Sequence, residues 1–184
     1  MDAGADICAQ STHKIIGALT QMSLLHVNSD RVDQNRVQQI LSLLHTTSPS
    51  YILMASLDCA RRQIATEGRE LLTRTIAHKL RSEVNKIPGV SSFGIEIVGR
   101  EGIYAFDPTK LTITARDLGL TGFQLETLLV EQYNIQVELS DYYNVLAIIT
   151  LGDSEESIGK LSDALRDISE RFFGKDEIHR KSLK

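Results

Sequence analysis

The chain has 184 residues, 42% of them apolar and 24% charged, with a net charge of −4 and a pI near 5.7. That length allows a sizeable core in one domain or two small ones, and the composition is that of an ordinary globular protein. The acidic balance, with no basic cluster interleaved with aromatics, gives no reason to expect nucleic acid as a partner, and no apolar run approaches the ~20 residues that span a membrane.

The first residues, Met1-Asp2-Ala3-Gly4-Ala5-Asp6, are acidic where a secretory signal would be basic. A cytoplasmic setting is therefore expected, and Cys8 and Cys59 are expected as buried free thiols in a reducing compartment. Ile7-Cys8-Ala9-Gln10 reads as a buried strand, and Met22 to Val27 as another. From Val32 to Leu44 the apolar residues Val37, Ile40, Leu41 and Leu44 fall at helical spacing. Thr46-Thr47-Ser48-Pro49-Ser50 breaks that pattern, with Pro49 suited to the first turn of the next helix. Leu53, Leu57, Ala60 and Ile64 share a helix face, as do Leu72, Ile76, Leu80, Val84 and Ile87 further on. Pro88-Gly89 ends the second helix. Basic residues outnumber acidic ones between Arg61 and Lys86. A solvated helix face accounts for that, and an anionic partner is the alternative.

The region from Glu101 to Asp163 is acidic and reads as strand, helix, strand, strand, helix. Leu111-Thr112-Ile113-Thr114 alternates with period two. Thr121 and Gln124 form a capping box, with Leu120 and Leu125 placed as a hydrophobic staple. Ile135, Val137 and Leu139 alternate along a strand, Asp141 to Asn144 turns, and Val145 to Ile149 is an apolar strand. Asp153 and Glu156 read as a second capping box before a helix faced by Ile158, Leu161, Leu165, Ile168 and Phe172. An antiparallel sheet covered by helices on one side fits this order. The glycine-bounded runs 99–102 and 119–122 read as turns, and residues 174–184 as a polar tail. The natural boundary lies near Pro88 to Gly94.

Chemistry is concentrated at Ser11-Thr12-His13-Lys14. An isolated lysine is ordinarily a surface residue. Lys14 gains from following a predicted buried strand and preceding Gly17, where the chain can turn tightly. Desolvation there would favour the neutral amine that attacks an aldehyde. Ser11 can hydrogen-bond a phosphate, and His13 can tune or relay protons. The histidines show no metal-ligand spacing, so no metal is expected. There is no GxSxG elbow and no P-loop. Asp58, Arg61 and Glu67 read as surface-pairing residues.

The segment Asp6 to Lys14, with Leu19-Thr20-Gln21 and Leu25-His26-Val27 behind it, resembles the lysine segment of the bacterial ornithine/lysine/arginine decarboxylases. The likeness continues through Thr46 to Tyr51, Ala55 to Asp58, Asp107 to Leu111 and Gly119 to Gly122, and so covers nearly the whole chain. These are pyridoxal-phosphate enzymes of the aspartate-aminotransferase fold. The resemblance implies an α/β chain: the C-terminal part of a PLP-dependent transferase-like (fold type I) large domain at 1–90, a small α+β domain with an antiparallel sheet at 91–173, and the tail at 174–184. It implies Lys14 as the Schiff-base lysine and a catalytic residue with His13. Ser11 and His13 would lie beside pyridoxal 5'-phosphate, and Thr46 near the cofactor phosphate of a neighbouring subunit. A site shared in this way implies a homodimer or larger homo-oligomer. The small-molecule partner would be a basic amino acid: arginine, lysine or ornithine.

Departures from the family pattern also shape the expectations. Members carry an upstream stretch with the phosphate cradle, a carboxylate for the pyridine nitrogen and a ring-stacking histidine, and they run on past the equivalent of Lys184. The chain is therefore expected to be truncated at both ends and inactive by itself. A non-catalytic remnant or interaction module is the alternative from another class, and an aminotransferase or aldolase the alternative within the fold.

Overall fold

A computed structural model describes residues 4–45, 47–71, 74–150 and 152–175. The chain forms two compact units, Met1–Leu71 and Leu72–Lys184. Unit 1 begins with an antiparallel ribbon of β1 (Ile7–Gln10) and β2 (Leu24–Val27), in register Ile7↔Val27 to Gln10↔Leu24. A single-turn helix, α1 (Thr12–Ile15), lies between the strands in sequence. Asp33 caps α2 (Gln34–Leu44) by accepting hydrogen bonds from the amides of Asn35 and Arg36 at 2.9 and 3.2 Å. Helix α3 (Tyr51–Leu71) follows, so Pro49 precedes it instead of lying in its first turn.

The expectation of buried strands and thiols in unit 1 is not met. Every residue of β1 is exposed, as are Cys8 and Cys59, and α2 buries no side chain. Apolar spacing marks which side of an element wants cover, but burial needs a second surface, and these strands and helices find little of one within the unit. The surface pairing expected for Arg61 is present, with Asp58 at 2.8 Å.

Unit 2 has such surfaces. Strands β3 (Lys110–Thr114), β4 (Leu139–Ser140) and β5 (Asn144–Ile148) form an antiparallel sheet in the order β3-β5-β4. The alternation along β3 buries Leu111 and Ile113. They pack into one core with Ala77, Leu80 and Val84 of α4 (Arg74–Val84), Leu125 and Leu129 of α5 (Gly122–Tyr133), and Leu161, Leu165 and Ile168 of α6 (Glu155–Phe172). The apolar face of α4 is thus committed to unit 2. The division between units consequently falls at Leu71–Leu72, ahead of the Pro88–Gly94 position read from the sequence. Leu72 and residues 176–184 of the tail lie outside the described residues.

Local signals in unit 2 resolve closely. Thr121 and Gln124 make the capping box, and the staple residues Leu120 and Leu125 are both buried. The second box is shifted by one: Ser154 caps α6 with Ser157 as its partner. Asp153 is occupied otherwise, accepting from the amide and hydroxyl of Thr150 at 2.7 and 3.0 Å. Strand β4 has two residues, shorter than the run expected from Ile135, although Val137 is buried. At Gly122 a Cβ would lie 2.2 Å from the carbonyl oxygens of both Asp141 and Asn144, so only glycine lets α5 start this close to the turn. Within that turn the Asp141 carboxylate accepts from the amides of Tyr143 and Asn144 at 2.6 and 2.7 Å. These bonds, that of Tyr143 first, hold its pKa below the ordinary carboxylate value.

Arg81 is 6% exposed and lies under the loop that precedes β3. It donates to the carbonyls of Phe93 (2.9 Å), Pro108 (3.3 Å) and Lys110 (3.0 Å), and its guanidinium lies 4.9 Å from the centre of the Phe106 ring. Burial lowers its pKa, opposed by the charge of Glu96.

Candidate active site

The connection Ser11–Ser23 between β1 and β2 brings together Ser11, His13 and Lys14, which are neighbours in sequence. Ser11 has extended backbone before α1, and its side chain makes no capping bond. Lys14 lies in the helix and is exposed. Among the described residues, neither the Ser11 hydroxyl nor the Lys14 amine has a hydrogen-bond or ion-pair partner. Gly17 takes φ +72° and turns the chain just after α1. The desolvation expected at Lys14 is not supplied by these residues, because the ribbon that carries it is itself open to solvent.

The remainder of the connection is tied down. Ser23 Oγ donates to the Gln10 carbonyl at 3.0 Å, and the Leu19 amide donates to Ser56 Oγ of α3 at 2.8 Å. His26 Nε2 lies 3.0 Å from Gln10 Oε1. Two participants, Thr12 and the Met22 carbonyl, lie beyond the site residues expected from the sequence. Thr12, 2% exposed, donates from Oγ1 to the Met22 carbonyl at 2.9 Å, and His13 Nδ1 reaches the same oxygen at 2.7 Å. The only sequence signal for Thr12 was its place among Ser11, His13 and Lys14; the approach of Met22 depends on a backbone turn with no residue signature.

Thr46 lies outside the described residues. Among the described residues no group of three or more His, Cys, Asp and Glu side chains is placed to hold a metal ion, and no helix is long and apolar enough to cross a membrane.

Comparison with known proteins places this geometry in context. Residues 2–157 match the family model described as the major domain of the Orn/Lys/Arg decarboxylases. An arginine decarboxylase of Bacillus subtilis (strain 168) is 48% identical over 184 residues, which cover 99% of this chain and 38% of that protein. Among solved structures, the constitutive lysine decarboxylase of Escherichia coli superposes with a TM-score of 0.70 at 23% identity, covering 89% of this chain and 28% of the other. An alanine–glyoxylate aminotransferase from Nostoc sp. gives 0.62 at 23% identity, covering 91% and 49%. These two likenesses concern the fold, which is the decarboxylase and aminotransferase fold expected from the sequence. The chain spans 38% of the length of its Bacillus subtilis relative.

Proposed function

Because the chain belongs to the Orn/Lys/Arg decarboxylase family, we propose that it forms part of a pyridoxal-phosphate-dependent decarboxylase of a basic amino acid, with arginine as the substrate. The observation that carries this reading is the 48% identity to an arginine decarboxylase across the full span that includes Ser11, His13 and Lys14. The reaction replaces the α-carboxyl group by hydrogen. Carbon dioxide leaves, the electron pair of its bond stays at the α-carbon, and a proton is taken up there.

The donor set suits the cofactor. Lys14 supplies a primary amine for an aldehyde, Ser11 a hydroxyl with no competing bond for a phosphate oxygen, and His13 an imidazole anchored on one side. When bound, pyridoxal phosphate supplies the electron sink for the released pair. Lys14 would hold the cofactor through its amine, which must be neutral to serve as the nucleophile. Ser11 and Thr46 would orient the phosphate, Thr46 from a neighbouring subunit, so the working enzyme is at least a homodimer.

These residues alone leave Lys14 open to water. We expect the 184-residue chain by itself to release carbon dioxide from arginine, lysine and ornithine at background rates. Turnover at ordinary enzymatic rates would show that the exposed site is sufficient. The assignment of Lys14 is tested in a full-length protein containing this sequence. After borohydride reduction and digestion the pyridoxyl group should map to Lys14; a label on another lysine overturns it. An aminotransferase of the same fold would leave the substrate's carboxyl in place, so carbon dioxide release separates the two chemistries.

A further inference from the structure

The carbonyl of Met22 is unusual in having three donors directed at it: Thr12 Oγ1 at 2.9 Å, His13 Nδ1 at 2.7 Å and the His13 amide at 3.4 Å. A carbonyl oxygen only accepts, so the ring nitrogen 2.7 Å from it must carry the hydrogen. The chain approaches this carbonyl through a left-handed residue. Gln21 has φ +68°, left-handed backbone that side-chain-bearing residues rarely adopt. The other described non-glycine residue with positive φ, Asn134, closes helix α5. Thr12 is also a buried polar side chain in a unit whose apolar residues are largely exposed. Burial there accompanies a specific hydrogen bond, not a general core.

We propose that Thr12 is a positioning residue: with the Met22 carbonyl it locks His13 as the Nδ1–H tautomer, so that the imidazole meets cofactor or substrate through Nε2. The proposal rests on Lys14 being the cofactor lysine. In a neutral imidazole with hydrogen on Nδ1, Nε2 holds a lone pair. His13 therefore accepts a proton or a hydrogen bond at Nε2, and donates from that atom only as imidazolium. This assigns the residue next to Lys14 a direction of proton flow. Thr12 acts through His13 and touches no reacting atom.

The ribbon contains its own reference. His26 faces Gln10 Oε1, an acceptor, with Nε2, so it is expected as the opposite tautomer. The test uses the uniformly 15N-labelled 184-residue chain without cofactor, above the pH at which both rings are neutral. Long-range proton–nitrogen spectra distinguish the tautomers directly. His13 should be Nδ1–H, favoured by up to roughly tenfold for one net hydrogen bond, and His26 should be Nε2–H. Thr12→Val removes the hydroxyl at nearly constant shape and should move His13 towards the Nε2–H form preferred by an unconstrained histidine side chain in water. Thr12→Ser should restore the wild-type spectrum. An Nε2–H tautomer at His13 in the wild type or in Thr12→Ser overturns the proposal, as does a Thr12→Val spectrum identical to the wild type. If Thr12→Val disorders the ribbon, the other two spectra still decide. Because no cofactor is present, this result is independent of the Lys14 labelling experiment, and failure of either is separately visible.

Discussion

In unit 2, Leu111, Ile113, Leu125, Leu129, Leu165 and Ile168 are 0% exposed; in unit 1, Ile7, Leu25, Ile40 and Leu44 remain 46, 40, 41 and 78% exposed. Both sets stand at regular spacing on strands and helices. The difference lies in whether a second apolar layer is present within the same unit. In unit 2 the sheet and its helices bury one another, whereas among the described apolar residues of unit 1 only Ala18 and Ala60 are buried. The candidate chemistry therefore sits in the unit without a core of its own, and cohesion is concentrated in the other. Regions that bind and move are commonly drawn from the less stable part of a protein.

The largest expected effect tests the functional half of that contrast. In a full-length protein carrying this sequence, Lys14→Ala should lower decarboxylation by on the order of 10³-fold or more, as loss of a covalent catalytic group does. Unit 2 should be unmoved, as judged by amide spectra of its residues. A large shift there would mean that the two units are not separable in this way.

Next come substitutions that sharpen the structural half. Leu165→Ala should cost roughly 2–5 kcal/mol of unfolding free energy, because the side chain is fully buried and the void can relax only in part. Leu43→Ala on α2, where the side chain is 83% exposed, should change stability by no more than about 0.5 kcal/mol. Chemical denaturation of both variants measures the contrast, and equal losses would break it. A polypeptide of residues 72–175 should unfold in one cooperative step when heated, whereas 101–172 should not. The shorter piece lacks Leu80 and Val84, which are 1 and 0% exposed in the core.

The smallest effect is a pH dependence at the turn beside α5. The Asp141 pKa is lowered in the folded state, chiefly by the Tyr143 amide and then by Asn144. A carboxylate depressed in this way stabilises the fold above its unfolded-state value, and that contribution fades as pH falls through the folded-state value. The gap in denaturation midpoint between wild type and Asp141→Asn should therefore be present at neutral pH and close below the ordinary carboxylate range. A gap that persists in acid would mean the charge is immaterial.

How far the sequence anticipated the structure depends on the distance over which each feature is decided. The Thr121–Gln124 box was legible because its hydrogen bonds join residues three apart. The box at α6 slipped by one because Asp153 and Ser154 are both good caps, and only the hydroxyl and amide of Thr150 show which is already engaged. Cys8 and Cys59 were misjudged because apolar neighbours in sequence do not supply a covering layer in space. At the candidate site, Ser11, His13 and Lys14 were readable as one short string. Thr12 and the Met22 carbonyl were not, since they meet across a connection of ten residues that carries no spacing signature.

Helix α6 shows that the match to a family's major domain and the limits of a folding unit need not end at the same residue. The family match stops at residue 157, within the first turn of a helix that runs to Phe172. A polypeptide cut there would keep the hydroxyl pair that starts the helix, Ser154 and Ser157, yet discard Leu161, Leu165, Ile168 and Phe172. The helices that α6 packs against, α4 and α5, would then present bare apolar surface to solvent. Anyone trimming this protein for expression at the limit of the major-domain match would remove the layer that closes its core, and should expect insoluble material.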